Sequence, residues 1–127
     1  MTISPVKRTS LLLASCLIAS ASLAQERVVN IYSSRHYQTD EALYSGFTKL
    51  TGIKVNSIVA GEDALIERIR NEAPRGPADV MITVDAGRLW RAEQLGLFQP
   101  VKSATLESRI PESLREPGGH WFGFALR

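Results

Sequence analysis

Residues 28–55, VVNIYSSRHYQTDEALYSGFTKLTGIKV, decide the fold. The stretch opens on Val28 to Ser33, a β-branched, apolar run that reads as a strand. Ser34-Arg35-His36-Tyr37-Gln38 follows as a loop. From Thr39 to Leu50 the period changes. Leu43, Phe47 and Leu50 fall at i, i+4 and i+7, the spacing of one helix face. Asp40 and Glu41 stand in the first turn, where the helix dipole favours anions. Thr51-Gly52 ends the helix, glycine taking the left-handed turn, and Ile53 to Val59 begins a second strand.

Working towards the C-terminus, the same alternation repeats. Gly61-Glu62-Asp63 opens a helix whose inner face carries Leu65, Ile66 and Ile69. Pro74-Arg75-Gly76-Pro77 is a loop. Asp79 to Val84 is a third strand, apolar enough to predict burial on both faces. Asp85 suits the N-cap of a helix over Ala86 to Leu95 that buries Leu89 and Trp90, and Gly96 stops it. Further on, Leu106 and Ile110 suggest a short helix, and Trp121 to Leu126 suggests another strand.

This order predicts an α/β fold with a parallel sheet covered by helices. Right-handed crossovers bring all three strand-to-helix loops to one rim, beyond the carboxyl ends of the strands. Ligands of open α/β sheets bind at that rim. His36, Tyr37, Glu62, Asp63 and Asp85 all fall in those loops. The last residues read as mid-strand, leaving an unpaired edge, which predicts a fragment or a truncated gene product.

Working towards the N-terminus, residues 1–24 read as a secretory signal peptide. Lys7 and Arg8 form a basic start, Leu11 to Ala21 an apolar centre, and Ser22-Leu23-Ala24 a cleavage site. Residues 25–127 are then the mature α/β lobe. Leu13-Ala14-Ser15-Cys16 also resembles a lipobox, but Leu17 to Leu23 stays apolar where a lipoprotein carries a polar tether, so lipid anchoring at Cys16 is the weaker reading. Cys16 is the one cysteine, so a chain cut after Ala24 forms no disulfide.

The 15 basic and 13 acidic residues become equal in number once Lys7 and Arg8 leave with the signal. A neutral chain without a clustered basic face excludes nucleic acid as the expected partner. Enzyme chemistry finds little support. There is no Gly-x-Ser-x-Gly elbow, no phosphate-binding glycine loop and no cysteine nucleophile after Ala24. Two histidines among scattered carboxylates do not make a spaced metal motif.

Several runs are specific. Val29 to Tyr37, Phe47 with Thr51-Gly52-Ile53-Lys54-Val55, Pro77-Ala78-Asp79-Val80, Thr83 to Leu89 and Gly119 to Phe124 resemble segments of periplasmic ferric-iron-binding proteins. The TGIKV and PADV pieces are shared across the wider type II solute-binding proteins. The Ser-Arg-His-Tyr loop and the Val-Asp-Ala-Gly-Arg-Leu-Trp run narrow the match to the iron-binding branch. The resemblance implies the parallel-sheet lobe of a type II periplasmic binding protein, with the second lobe missing. It implies a ferric ion, Fe(3+), held between two lobes by tyrosinates, joined in some members by a His, a carboxylate or a synergistic anion. It further implies a periplasmic, monomeric receptor that serves an inner-membrane ABC permease. The tyrosine of the first loop maps onto Tyr37 and its neighbour onto His36; the family's principal tyrosine pair lies in the second lobe.

The chemistry agrees with that mapping. Ferric ion is hard and prefers oxygen donors. An isolated phenol has a pKa of about 10, and a bound cation stabilises the phenolate. From the loop alone, Tyr37 reads as a surface ring over the helix start; the resemblance makes it the first-choice ligand. His36 ligates through neutral imidazole, hydrogen-bonds a ligand, or lies in solvent. Arg35 balances negative charge or is simply solvated. Asp85, Glu62 and Asp63 read first as helix-terminus residues, and His120 beside Gly118-Gly119 as a turn residue. Tyr32, Tyr44, Trp90 and Trp121 read as packing. The remaining alternatives are a type II receptor for an oxyanion or polyamine, an α/β enzyme fragment, and the product of an inactivated gene.

Overall fold

A computed structural model describes residues 26–126. The signal peptide expected over residues 1–24, and Cys16 with it, lie outside the described residues.

Three parallel strands form the sheet, in the order β2-β1-β3. β1 is Val28–Ser33, β2 is Lys54–Val59 and β3 is Val80–Ile82. β1 pairs with β2 from Val28↔Lys54 to Ser33↔Val59, and with β3 from Ile31↔Val80 to Ser33↔Ile82. Its central place explains its composition. Ile31, Tyr32 and Ser33 are consecutive and all buried, so both faces of the strand's C-terminal half are covered.

Helix α1 (Gln38–Thr51) connects β1 to β2, and α2 (Glu62–Glu72) connects β2 to β3. Gly52 closes α1 at φ 69°, its N–H donating to the Thr48 carbonyl at 2.9 Å. That left-handed position is the one the sequence assigned to glycine. α3 (Ala86–Gln94), α4 (Ala104–Arg109) and a 3-10 turn (Glu112–Leu114) complete the chain.

The core draws on α2, α3 and β1. Leu65 and Ile66 of α2, Ala92 of α3 and Tyr32 of β1 are essentially inaccessible, and Ile110 is buried beyond α4. A fully buried Leu or Ile contributes roughly 1.5–3 kcal/mol of transfer free energy. Tyr32 spans the interior and donates its hydroxyl to Glu72 Oε2 at 2.6 Å. The Arg68 guanidinium lies 5.1 Å from the Tyr32 ring centre, and its Nε donates to Glu72 Oε1 at 2.7 Å. One polar group therefore anchors the last turn of α2 to the central strand.

The α1 stripe does not reach the interior: Leu43, Phe47 and Leu50 are 66%, 38% and 89% exposed. A three-stranded sheet is narrow, and among the described residues nothing covers this helix face. Three expectations are corrected. β3 is three residues long, not six, and Val80 is exposed because β3 lies at the sheet edge. Trp90 is exposed on α3 while Ala92 of the same helix is buried. Trp121 to Leu126 forms no strand; Phe122 makes a single antiparallel bridge with Arg115. The run is apolar throughout, but among the described residues no strand lies beside it for its backbone to pair with.

Candidate metal-binding rim

The loop after β1 is built from its own hydroxyls. Ser33 Oγ accepts from the Arg35 N–H at 3.0 Å and donates to the Arg35 carbonyl at 3.1 Å. Ser34 N–H donates to the Ile82 carbonyl at 2.9 Å, continuing the pairing with β3 one residue past the strand. The chain then turns upward at His36 and Tyr37. Tyr37 is the N-cap of α1, extended at φ −89° and ψ 136°, and its carbonyl accepts from the Asp40 N–H at 3.0 Å. Its side chain takes no part in capping.

That leaves the Tyr37 ring directed by other groups. The Arg35 guanidinium lies 5.1 Å from the ring centre and pairs with Asp40 Oδ1 at 3.2 Å. Arg35 therefore joins the phenol to the first turn of α1. Tyr37 is 48% exposed, and His36 is exposed beside it.

Two open hollows meet at this point. One, of about 240 Å³, is bordered by Arg35, His36, Tyr37, Asp40, Tyr44 and Val59. The other, of about 360 Å³, is bordered by Ser34, His36, Gly61, Glu62, Asp63 and Arg88. His36 lines both. Tyr44 lies half-buried in the first, and burial, first among several causes, pushes its phenol above the ordinary value of 10.0.

The acidic residues of the rim have partners already. Glu62 is buried, accepts a hydrogen bond from the Thr83 hydroxyl and pairs with Arg88 Nε at 3.2 Å. Asp85 caps α3, its Oδ1 accepting from the Arg88 N–H at 3.0 Å, as the sequence reading assigned. Asp63 accepts from Arg91 at 2.8 Å and faces Arg88 at 3.7 Å. Arg88 is the residue the sequence reading missed. Its signal was present: it stands three residues after the capping Asp85, in the first turn of the helix that rises from the rim.

The rim thus unites His36, Tyr37, Glu62, Asp63 and Asp85, as the topology predicted. Chemically it divides in two. The carboxylates are engaged by arginines, and the Tyr37 and His36 side chains are exposed beside them. A phenol oxygen and an imidazole nitrogen are two donors, fewer than a six-coordinate cation takes.

No family model matches the chain. It is 56% identical over 103 residues to iron uptake protein A1 of Synechocystis, covering 81% of this chain and 29% of that protein. It is 32% identical over 128 residues to the Fe(3+)-binding periplasmic protein of Serratia marcescens, covering 98% of this chain and 37% of the relative. Among solved structures it resembles Trichodesmium FutA in complex with iron and citrate, at 59% identity and a TM-score of 0.74 over 76% of this chain and 31% of that one. It also resembles the ferric binding protein of Campylobacter jejuni, at 45% identity and a TM-score of 0.73 over 74% of this chain and 30% of that one. The chain spans 29–37% of the length of these relatives. Sequence and fold together place it among the homologues of the ferric-iron-binding periplasmic proteins, with the parallel α/β architecture of a type II solute-binding lobe.

Proposed function

We propose that this chain is the first-lobe part of a periplasmic receptor that captures ferric iron for an inner-membrane ABC permease, and not an enzyme. The observation that carries the reading is the side-by-side exposure of Tyr37 and His36 at the carboxyl rim, beside carboxylates already held by arginines. The relatives named as iron uptake and Fe(3+)-binding proteins support it.

In this reading Tyr37 is the first ligand and His36 the second. Arg35, stacked on the ring and tied to Asp40, holds the phenol in place at the start of α1. The facing lobe of the full receptor supplies the remaining oxygen donors, with a synergistic anion such as citrate filling open positions. Closure of two lobes about a hinge then completes the site. Capture displaces the phenol proton, so acid favours release. The polyamine alternative is weakened by the same geometry, because the carboxylates that would receive ammonium groups are paired with Arg88 and Arg91.

Ferric citrate added to the receptor is expected to raise a visible tyrosinate-to-iron charge-transfer band. Tyr37→Phe should reduce that band, and His36→Gln should shift it or weaken binding. A folded receptor that stays colourless, or a band indifferent to Tyr37→Phe, removes Tyr37 from the ligand set.

A further inference from the structure

The second histidine lies at the opposite end of α3 from the rim. Glu93 stands eight residues after Asp85, roughly 12 Å along the helix axis. There His120 Nδ1 lies 2.9 Å from Glu116 Oε2 and 3.8 Å from Glu93 Oε1. One donor atom from each of the three residues falls within 4.8 Å of the others.

These spacings are unequal as hydrogen bonds but suited to a metal. The 2.9 Å contact is a hydrogen bond, and 3.8 Å is too long for one. Two donors about 2.0–2.1 Å from a tetrahedral zinc ion stand about 3.3 Å apart, between the two observed values.

The surroundings hold the donors in place. Trp121 Nε1 donates to Glu93 Oε2 at 2.9 Å, which turns the other carboxylate oxygen towards the histidine. The His120 N–H donates to Glu116 Oε2 at 3.0 Å, and the Glu116 N–H donates to the Trp121 carbonyl at 3.1 Å. Gly118 leaves the space: a Cβ there would meet Glu116 Oε2 and His120 Nδ1, each at 2.9 Å. His120 and both carboxylates keep partial solvent access, so an ion has an entry path.

We infer that Glu93, Glu116 and His120 form a second cation site, for a borderline divalent ion such as zinc, at the end of α3 remote from the Tyr37 rim. Two carboxylates and one imidazole match zinc in charge and donor type. The ion replaces the proton between His120 and the carboxylates and ties the 116–121 turn to α3. This site is independent of the ferric reading and uses none of its residues.

The test is calorimetric titration of the full chain with zinc chloride in a His36→Gln, Tyr37→Phe background, which removes the donors of the rim. One zinc per chain is expected. His120→Gln should weaken it on the order of a hundredfold, since loss of a direct ligand costs at least what loss of an outer partner does. Cobalt substituted for zinc should give the intense visible bands of a tetrahedral ion, and these should vanish in the same variant. Glu93→Gln keeps a carbonyl to accept from Trp121, and it decides the matter should His120→Gln lose its far-ultraviolet circular dichroism. No zinc uptake in the double background, or uptake unchanged by Glu93→Gln, overturns the site.

Discussion

Tyr32 shows how one side chain both fills and wires the interior. Its ring is wholly inaccessible, and its hydroxyl ends on a carboxylate that Arg68 also grips. Hydrogen bonding to Glu72, followed by burial, raises the Tyr32 phenol above its ordinary 10.0, and the same hydrogen bond, with that from Arg68, lowers the Glu72 carboxyl below its ordinary 4.5. The signs differ. The lowered carboxyl stabilises the fold above its ordinary value, and that contribution is lost as pH falls through the folded value. The raised phenol stabilises below pH 10, and its contribution is lost as pH climbs through its folded value. Tyr32→Phe should therefore cost about 1 kcal/mol at neutral pH, measured by urea unfolding. Glu72→Gln should flatten the fall in stability on acidification below about pH 4.5, the ordinary value of that carboxyl. Equal acid limbs in wild type and variant would show that the pair does not couple to folding. At this scale the sequence was partly legible. Tyr32 read as packing and Asp85 as a cap, because each follows from a residue's own place in a strand or at a helix start. Arg68 and Glu72 escaped notice, because a contact forty residues from Tyr32 to Glu72 leaves no local pattern.

Helices and strands were legible where short-range physics sets them. Gly52 and Asp85 mark their helix ends as written, β1, β2 and α1 lie within one residue of their expected bounds, and α2 starts where Gly61-Glu62-Asp63 opens it. Burial was legible only in part. A stripe at i, i+4 and i+7 shows which side of a helix is apolar, not whether anything lies against it. α2 and α1 carry similar stripes, yet Leu65 and Ile66 are buried and Leu43 and Leu50 are not. Mutational cost should separate the two. Leu65→Ala should lose about 2–5 kcal/mol, as buried leucines do. Leu50→Ala should stay within about 0.5 kcal/mol, as exposed substitutions do. Thermal unfolding of both variants checks this, and equal costs would mean that α1 is covered in solution. The same reasoning explains Trp121 to Leu126, an apolar run that finds no partner strand among the described residues.

Across the molecule, apolar surface is unevenly distributed. Leu43, Phe47 and Leu50 of α1 are all exposed, and so is Val59 at the end of the adjoining strand. Among the described residues no helix is long and apolar enough to cross a membrane, so this surface is a stripe on a small α/β lobe and not a span. The chain is accordingly expected to bind an apolar dye such as ANS while retaining its circular dichroism, and Leu43→Lys with Leu50→Lys should abolish most of that fluorescence. Strong dye binding that survives both substitutions would place the apolar surface elsewhere. The rim itself was legible as a location, since topology alone gathers the three loops. What each rim residue does there was not, because pairing with Arg88 and Arg91 is decided by side chains that meet only after folding.

His36 borders both hollows of the rim, and that shared wall has a consequence. The two basins are therefore not separate reservoirs: a guest gripped by His36 from the Tyr37 side takes up a wall of the Arg88 side as well, so occupancy of one changes the boundary of the other.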